Sequence, residues 1–119
     1  MIHHVGYEVQ SLERSARFYD AVFFALGGRR LYESGEAIGW GVDAPVFWVT
    51  ARAVPKPGYG HVALSASGRA AVDGAYDAGI ANGGKDDGAP GDRPQYGPSY
   101  YAAYMRDPDG LKVEVLTGA

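Results

Sequence analysis

Two histidines and one glutamate that lie far apart in the chain could together bind a divalent metal ion. These residues are His4, His61 and Glu114. Two imidazoles and one carboxylate can form a facial triad of ligands that leaves coordination positions open for a substrate. Such residues also have an ordinary interpretation, because a histidine at a strand end is often a surface residue and Glu114 could pair with Lys112 in solvent. The elements that carry the three residues must therefore decide between the two interpretations.

Strand periodicity places all three side chains on faces that helices would not cover. Residues 3–9, 60–66 and 111–117 alternate between apolar and polar types, as half-buried strands do. If Val5, Tyr7 and Val9 pack under a helix, His4 and Glu8 point to the other face. The same reasoning places His61 opposite Val62 and Leu64, and Glu114 opposite Val113 and Val115. His3 points away from His4 and is therefore not part of the set.

An internal repeat relates the two histidines. Shifting the chain by 57 residues aligns His4-Val5 with His61-Val62 and Tyr19-Asp20-Ala21 with Tyr76-Asp77-Ala78, as read from the sequence. Gly27 falls on Gly84, and each glycine follows a predicted helix. The matches occupy equivalent places in equivalent patterns of elements, which favours a duplicated module and makes His4 and His61 counterparts.

The order of predicted elements is the same in both halves, a strand followed by a helix and further strands. Ser11 is a predicted N-cap for the first helix, with Glu13 in its first turn, and Ser67 is a predicted N-cap for the second helix. The first half continues with strands over 29–33, 36–41 and 46–50. The second half contains a predicted loop over 86–98 and a strand over 100–106, and Asp107-Pro108-Asp109-Gly110 predicts a hairpin turn. The fold class is therefore α+β, with two βαβββ modules at 1–54 and 58–119 joined by a Pro/Gly linker within 53–59.

Composition excludes several classes of protein. The chain has 119 residues, 46% hydrophobic and 21% charged, as expected of one globular domain. Its net charge of -3 is unfavourable for a nucleic-acid partner. The absence of cysteine excludes disulfides and thiolate chemistry. We expect neither a membrane span nor a signal peptide, and cytoplasmic localisation is the resulting expectation.

Three segments carry a resemblance to the vicinal oxygen chelate superfamily, which includes glyoxalase I, bleomycin-resistance proteins, extradiol dioxygenases and fosfomycin-modifying transferases. The segments are HHVGYEVQSLERSARFYDAVFFALG, GHVALSASGRAAVDGAYDAG and YYAAYMRDPDGLKVEVL. The last is the most specific, and RPQYGPSYYAAY also resembles a subgroup of small glyoxalase-like proteins of unassigned reaction. The resemblance covers the whole chain and implies two βαβββ modules whose curved sheets form a metal-binding cleft.

The resemblance assigns the metal-ligand positions to His4, His61 and Glu114, the residues that strand phase also selects. It further implies a homodimer in which each site takes residues from both chains. Glyoxalase I-type members use a fourth protein ligand, but aligning VDAPVFWVTA with PDGLKVEVLT places Trp48 opposite Glu114. Tryptophan does not bind metals, which puts glyoxalase I activity in doubt and leaves either a three-ligand site or a site without metal.

Two functions from different classes fit these residues. The first is a metal-dependent lyase, isomerase or dioxygenase that uses Fe, Ni, Mn or Zn and a substrate chelating through vicinal oxygens, with Glu8 as a candidate base. The second is a non-catalytic protein that binds a small molecule or antibiotic, as bleomycin-resistance proteins do. Four residues are candidate substrate contacts in either case: Arg93, Tyr96, Trp48 and Tyr101.

Overall fold

The computed structural model describes residues 1–53 and 61–119, which form two sheets of four strands with one helix each. The predicted linker over 53–59 falls almost entirely outside the described residues. The elements of the first half are β1 (Val5–Glu8), α1 (Leu12–Ala25), β2 (Arg29–Glu33), β3 (Ala37–Gly41) and β4 (Phe47–Thr50). Those of the second half are β5 (His61–Ser65), α2 (Arg69–Ala81), β6 (Lys85–Asp92), β7 (Tyr101–Arg106) and β8 (Lys112–Thr117).

The two sheets have the same topology. Their strand orders are β1-β4-β3-β2 and β5-β8-β7-β6, with β1 parallel to β4 and β5 parallel to β8. In the first sheet Gly6 is the partner of Trp48, and in the second Ala63 is the partner of Glu114. Since Ala63 follows Gly6 by the repeat length, Trp48 and Glu114 occupy equivalent places. The predicted α+β fold of two βαβββ modules is confirmed.

Each helix covers one face of its own sheet, and the two helices pack on each other. Ser11 caps α1 as predicted, because its side chain accepts a hydrogen bond from the backbone N–H of Arg14 at 3.2 Å. The apolar face of α1 buries Phe18, Tyr19 and Val22 completely. Side chains of both halves join in one hydrophobic core, so the opposite faces of both sheets are left without a helix.

Gly79 allows the close approach of the two halves. A side chain at Gly79 would begin 2.5 Å from the sulfur of Met105 and 3.1 Å from the ring of Phe18. A glycine inside α2 costs helix stability, but here it admits Phe18 of α1 against the second sheet. Arg17 of α1 also connects the two helices, because its Nη2 donates a hydrogen bond to the carbonyl of Ala81 in α2 at 3.1 Å.

Two local predictions are wrong. Ser67 does not cap α2, because the helix begins one residue later and Gly68 is its N-cap without a side-chain hydrogen bond. The segment predicted as a loop over 86–98 contains β6, an edge strand antiparallel to β7. Its composition of Gly, Asp and Pro hides the strand, because an edge strand with register irregularities tolerates residues that a central strand excludes.

Candidate metal and ligand site

A buried carboxylate forms the centre of the candidate site. Glu114 lies in the middle of β8 and is 4% exposed, although its neighbours on the same face border open space. His61 Nε2 lies 3.0 Å from Glu114 Oε1, and the Tyr100 hydroxyl donates to Glu114 Oε2 at 2.5 Å. A charged group inside a protein needs partners of this kind, because burial without them is costly. The pairing of β5 with β8 brings His61 and Glu114 together across neighbouring strands.

The carboxylate faces a cavity of about 530 Å³ on the uncovered side of the second sheet. Tyrosine rings form much of its wall, because Tyr100 and Tyr104 lie on the same face as Glu114 and Tyr96 lies in the loop between β6 and β7. The lining residues are His61, Asp87, Gly88, Arg93, Gln95, Tyr96, Tyr100, Tyr104, Lys112 and Glu114. This volume is suitable for a small organic molecule.

Hydrogen bonding to the carboxylate changes the acidity of Tyr100. The bond from its hydroxyl to Glu114 favours the protonated phenol and raises the pKa of Tyr100 to about 12. Burial, followed by the charge of Glu114, also raises the pKa of Tyr104. Both phenols therefore remain neutral donors near neutral pH.

His4 lies at a different cavity. It precedes β1 and, with Trp48 and Tyr32, lines a space of about 490 Å³ on the uncovered side of the first sheet. Its ring centroid is 6.5 Å from that of Trp48, and its Nδ1 is 2.9 Å from Nδ1 of His3. The structure thus brings together His61 and Glu114 within one chain but not His4.

The donor chemistry of the His61–Glu114 pair fits a divalent metal, but the described residues of one chain bring only these two donors together. An imidazole nitrogen and a carboxylate oxygen face each other at the cavity wall, and both are good donors for Fe, Ni, Mn or Zn. Over residues 1–53 and 61–119, no cluster of three or more His, Asp or Glu side chains could hold a metal ion. Two protein donors alone would leave most coordination positions of such a metal to other ligands.

Glu8, the candidate base, is occupied by other contacts. Its carboxylate accepts hydrogen bonds from the Thr50 hydroxyl at 2.5 Å and from the backbone N–H groups of Arg52 and Ala53. These bonds lower the pKa of Glu8, with Thr50 the largest contributor. A carboxylate that is stabilised in this way is a poor proton acceptor, so the structure gives Glu8 a structural environment rather than that of a base.

The candidate substrate contacts separate into three locations. Arg93 and Tyr96 border the cavity beside Glu114, whereas Trp48 belongs to the cavity of the first sheet. Tyr101 packs on the helix side of β7, where its hydroxyl donates to Asp73 at 2.6 Å. The alternation of β7 instead places Tyr104 with Glu114, so strand phase could have selected Tyr104 over Tyr101.

Comparisons with known proteins agree with this architecture. The family model for the Glyoxalase/Bleomycin resistance protein/Dioxygenase superfamily matches residues 1–115. A glyoxalase/bleomycin resistance protein from Albidiferax ferrireducens T118 is 31% identical, with a TM-score of 0.87 and 98% of each chain covered. No curated protein matches the chain by sequence.

Two further solved structures share the fold at lower identity. A glyoxalase-related enzyme from Fulvimarina pelagi is 23% identical, with a TM-score of 0.80 over 99% of this chain and 88% of the other. The fosfomycin resistance protein FosX from Mesorhizobium loti is 21% identical, with a TM-score of 0.72 over 98% of this chain and 90% of the other. In the described part of the chain, no helix is long and apolar enough to span a membrane.

Proposed function

Because this chain belongs to the Glyoxalase/Bleomycin resistance protein/Dioxygenase superfamily, we propose that it is a metal-dependent enzyme acting on a small substrate with two neighbouring oxygens. The observation that carries the proposal is the buried Glu114 carboxylate, which shares a cavity wall with His61 Nε2 at 3.0 Å. A bound divalent metal would supply Lewis-acid chemistry for a lyase or isomerase, or redox chemistry for a dioxygenase.

The residues of this chain have separate tasks in the proposed site. His61 and Glu114 bind the metal, and Tyr100 holds the carboxylate in one orientation through its hydrogen bond to Oε2. Tyr104 lies 3.5 Å from the same oxygen and extends the polar wall. The Arg93 and Tyr96 side chains border the space that a substrate would fill.

We further propose that His4 of a second copy completes the metal site. Within one chain His4 and His61 lie on the uncovered faces of different sheets, and the helices fill the space behind each sheet. An antiparallel pair of chains would place the first sheet of one copy over the second sheet of the other. Each cleft would then contain two histidines and one glutamate, the set that the sequence predicts.

Mixing two inactive variants tests this arrangement. His4→Ala and His61→Ala homodimers should each fail to bind stoichiometric metal, since every site lacks one ligand. A heterodimer of the two variants contains one site with both substitutions and one with neither. We therefore expect metal binding to reappear after the variants are unfolded and refolded together, measured by elemental analysis after dialysis.

Two outcomes would contradict the proposal. Failure of the mixture to regain metal while the wild-type chain binds it would show that the ligands do not come from two copies. Absence of stoichiometric metal in the wild-type protein would contradict metal dependence itself. His3→Ala is the comparison variant: it removes the 2.9 Å contact to His4 Nδ1 but none of the three proposed ligands, so it should still bind metal.

Trp48 favours a second candidate function, the binding of a small molecule without turnover. It occupies the place equivalent to Glu114, so the first sheet has an indole where the second sheet has a carboxylate that can bind metal. With Tyr32 at 5.1 Å between ring centroids, it forms an aromatic wall typical of binding pockets. Turnover of methylglyoxal with glutathione, or of catechols, would support the enzyme, and tight binding without turnover would support sequestration.

A further inference from the structure

Arg93 is held in a fixed position at the cavity wall. Its Nη2 donates to the carbonyl of Ala89 at 2.8 Å, and its guanidinium lies 5.4 Å from the ring centroid of Tyr104. A side chain at Gly91 would begin 3.1 Å from Nη1, so the guanidinium rests against the glycine backbone of β6. The register irregularities of β6 thus make room for this cation.

No acidic group neutralises Arg93 among residues 1–53 and 61–119. Its terminal nitrogens donate to the carbonyls of Ala89 and Asp92, its side chain also hydrogen-bonds Tyr104, and no carboxylate of the described residues lies within ion-pair distance. A guanidinium has five N–H groups, more than these neutral acceptors use, and it binds oxyanions well. The fixed guanidinium therefore has free hydrogen-bond donors at a cavity wall.

Lys112 brings a second cation to the same wall. Its Nζ lies 4.9 Å from the ring centroid of Tyr104, so both cations contact this ring. Its acidic neighbour is Asp87 at 3.7 Å, but Asp87 also accepts from Arg106 at 3.1 Å. Lys112 lies two residues before Glu114 on the same face of β8, and it shares its acidic neighbour with Arg106.

The rest of the cavity suits a flat apolar body. The rings of Tyr96 and Tyr100 lie 5.4 Å apart, and Tyr96 is 64% exposed in the loop that follows Arg93. That loop is closed by backbone hydrogen bonds from Arg93 N to the Tyr100 carbonyl at 2.8 Å and from Tyr96 N to the Arg93 carbonyl at 3.0 Å, so Tyr96 and Arg93 border the same cavity. An exposed aromatic ring next to an arginine with free donors is a favourable contact for an aromatic or planar ligand.

We infer that the cavity binds a small organic oxyanion with a planar apolar body, its carboxylate or phosphonate held by the guanidinium of Arg93, with Lys112 as a second cation in the cavity lining. The inference rests on the proposed function for the location of the reacting end of the substrate, which would lie toward Glu114 and His61. It adds the chemical class of the substrate, which neither the family nor the metal ligands specify. The ligand body would lie along Tyr96 and Tyr104.

Nuclear magnetic resonance titration of the EDTA-treated chain with three matched probes tests the inference. Benzoate and phenylphosphonate carry an oxyanion on a phenyl ring, whereas benzamide has nearly the shape of benzoate without its charge. We expect an oxyanion probe to bind about tenfold more tightly than benzamide, because hydrogen bonds to charged groups are stronger than those to neutral ones. The tighter-binding oxyanion identifies which of the two groups the site prefers.

Three variants connect this preference to the cation. Arg93→Gln should reduce the preference for an oxyanion probe over benzamide to below about twofold. Arg93→Lys keeps the charge and should retain part of this preference. Arg69→Gln is the matched control, because Arg69 also lies over a tyrosine, at 4.7 Å from the Tyr101 centroid, but outside the cavity. It should leave the wild-type preference unchanged. The amide spectra also report whether each variant is folded.

Equal binding of all three probes would overturn the inference, as would shifts confined to amides outside the cavity. An unchanged preference in folded Arg93→Gln would overturn it too. These titrations contain no metal, so their failure is separate from the failure of the metal-mixing experiment. A chain that binds metal but shows no oxyanion preference keeps the proposed function and loses only the substrate class.

Discussion

Glu114 shows how strand phase alone can indicate which way a charged side chain points. Its position opposite Val113 and Val115 predicts a side chain on the uncovered face, and the structure places it there with His61. The tyrosines that contact Glu114, at the start of β7 and within it, are harder to predict, because aromatic residues in strands usually pack in the core. Tyr100 and Tyr104 instead point to the carboxylate, and the pKa of Tyr100 is raised to about 12 by that contact.

Glu8 gives a residue-scale prediction about stability and pH. Hydrogen bonds from Thr50, Arg52 and Ala53 lower its pKa in the folded chain below the ordinary value of 4.5. Its ionised form therefore stabilises the fold above pH 4.5, and this contribution is lost as the pH falls through the lower folded pKa. The melting temperature of Glu8→Gln should be below that of wild type at pH 7, with a gap that narrows in acid.

The matched control for this prediction is Glu36→Gln. Glu36 contacts Arg52 at 3.1 Å, but both side chains are largely exposed to solvent. An exposed ion pair contributes little, so this variant should melt close to wild type at each pH. If the difference in melting temperature between wild type and Glu8→Gln stays constant from pH 7 to pH 3, the ionised Glu8 carboxylate is not the source of the stabilisation.

At the scale of elements, the turn between β7 and β8 fastens the second half to α1. Asp107 is 3% exposed and accepts hydrogen bonds from the Tyr19 hydroxyl at 2.7 Å and from the backbone N–H of Leu111 at 2.8 Å. Burial raises the pKa of Asp107 above its usual range. Asp109 accepts from Arg14 Nη2 at 3.0 Å, so two aspartates of one turn bind the same helix.

Tyr19→Phe should therefore destabilise the fold without disturbing its packing. The substitution removes one hydroxyl and leaves a buried carboxylate oxygen without its donor, which costs about 1–3 kcal/mol of unfolding free energy. Urea unfolding followed by circular dichroism measures this loss. Tyr32→Phe is the control, because Tyr32 is 47% exposed and its hydroxyl has no partner among the described residues. Equal stability of the two variants would show that the Tyr19–Asp107 bond contributes nothing.

The elements themselves were predictable to different degrees. The helix α1, the four strands of the first half and the Asp107–Gly110 turn follow from apolar periodicity, a capping serine and turn residues. The strand β6 does not, since its glycines and proline give no strand signal and its pairing with β7 is a tertiary effect. Ser67 failed as a cap because sequence alone did not indicate which of two neighbouring residues begins α2.

For the whole molecule, the repeat predicts the two-module architecture but not how the three candidate metal ligands are divided between the two sheets. Strand phase selects His4, His61 and Glu114 as residues of uncovered faces, and this is correct for each sheet taken separately. How two sheets lie relative to each other depends on helix packing, in particular on Phe18 against Gly79. Such long-range geometry leaves no periodic signal, so strand phase does not show that His4 is separated from the other two residues, although the resemblance already implied sites shared between chains.

This arrangement leads to a prediction about assembly. A site completed by His4 of a second copy requires a dimer, and the uncovered first sheet presents Trp48 and the half-exposed Tyr32 at its surface. Burial of these rings against a second chain would favour association. Sedimentation equilibrium should give twice the chain mass of 12.6 kDa at micromolar concentration. A monomer that retains stoichiometric metal would contradict the shared site.

The turn Asp107–Gly110 has a consequence for how such chains are classified. It belongs to the most specific segment of the resemblance, yet its aspartates bind Tyr19 and Arg14 of α1 rather than any group in the cavity. A match to this turn alone therefore indicates how the two halves are joined and gives no information about the ligand. The cavity lining comes from both sides of the turn, from Tyr104 and Glu114 in the flanking strands and from Arg93 and Tyr96 upstream. Under the proposed oxyanion site, relatives that keep this turn but differ at the position of Arg93 should bind different ligands.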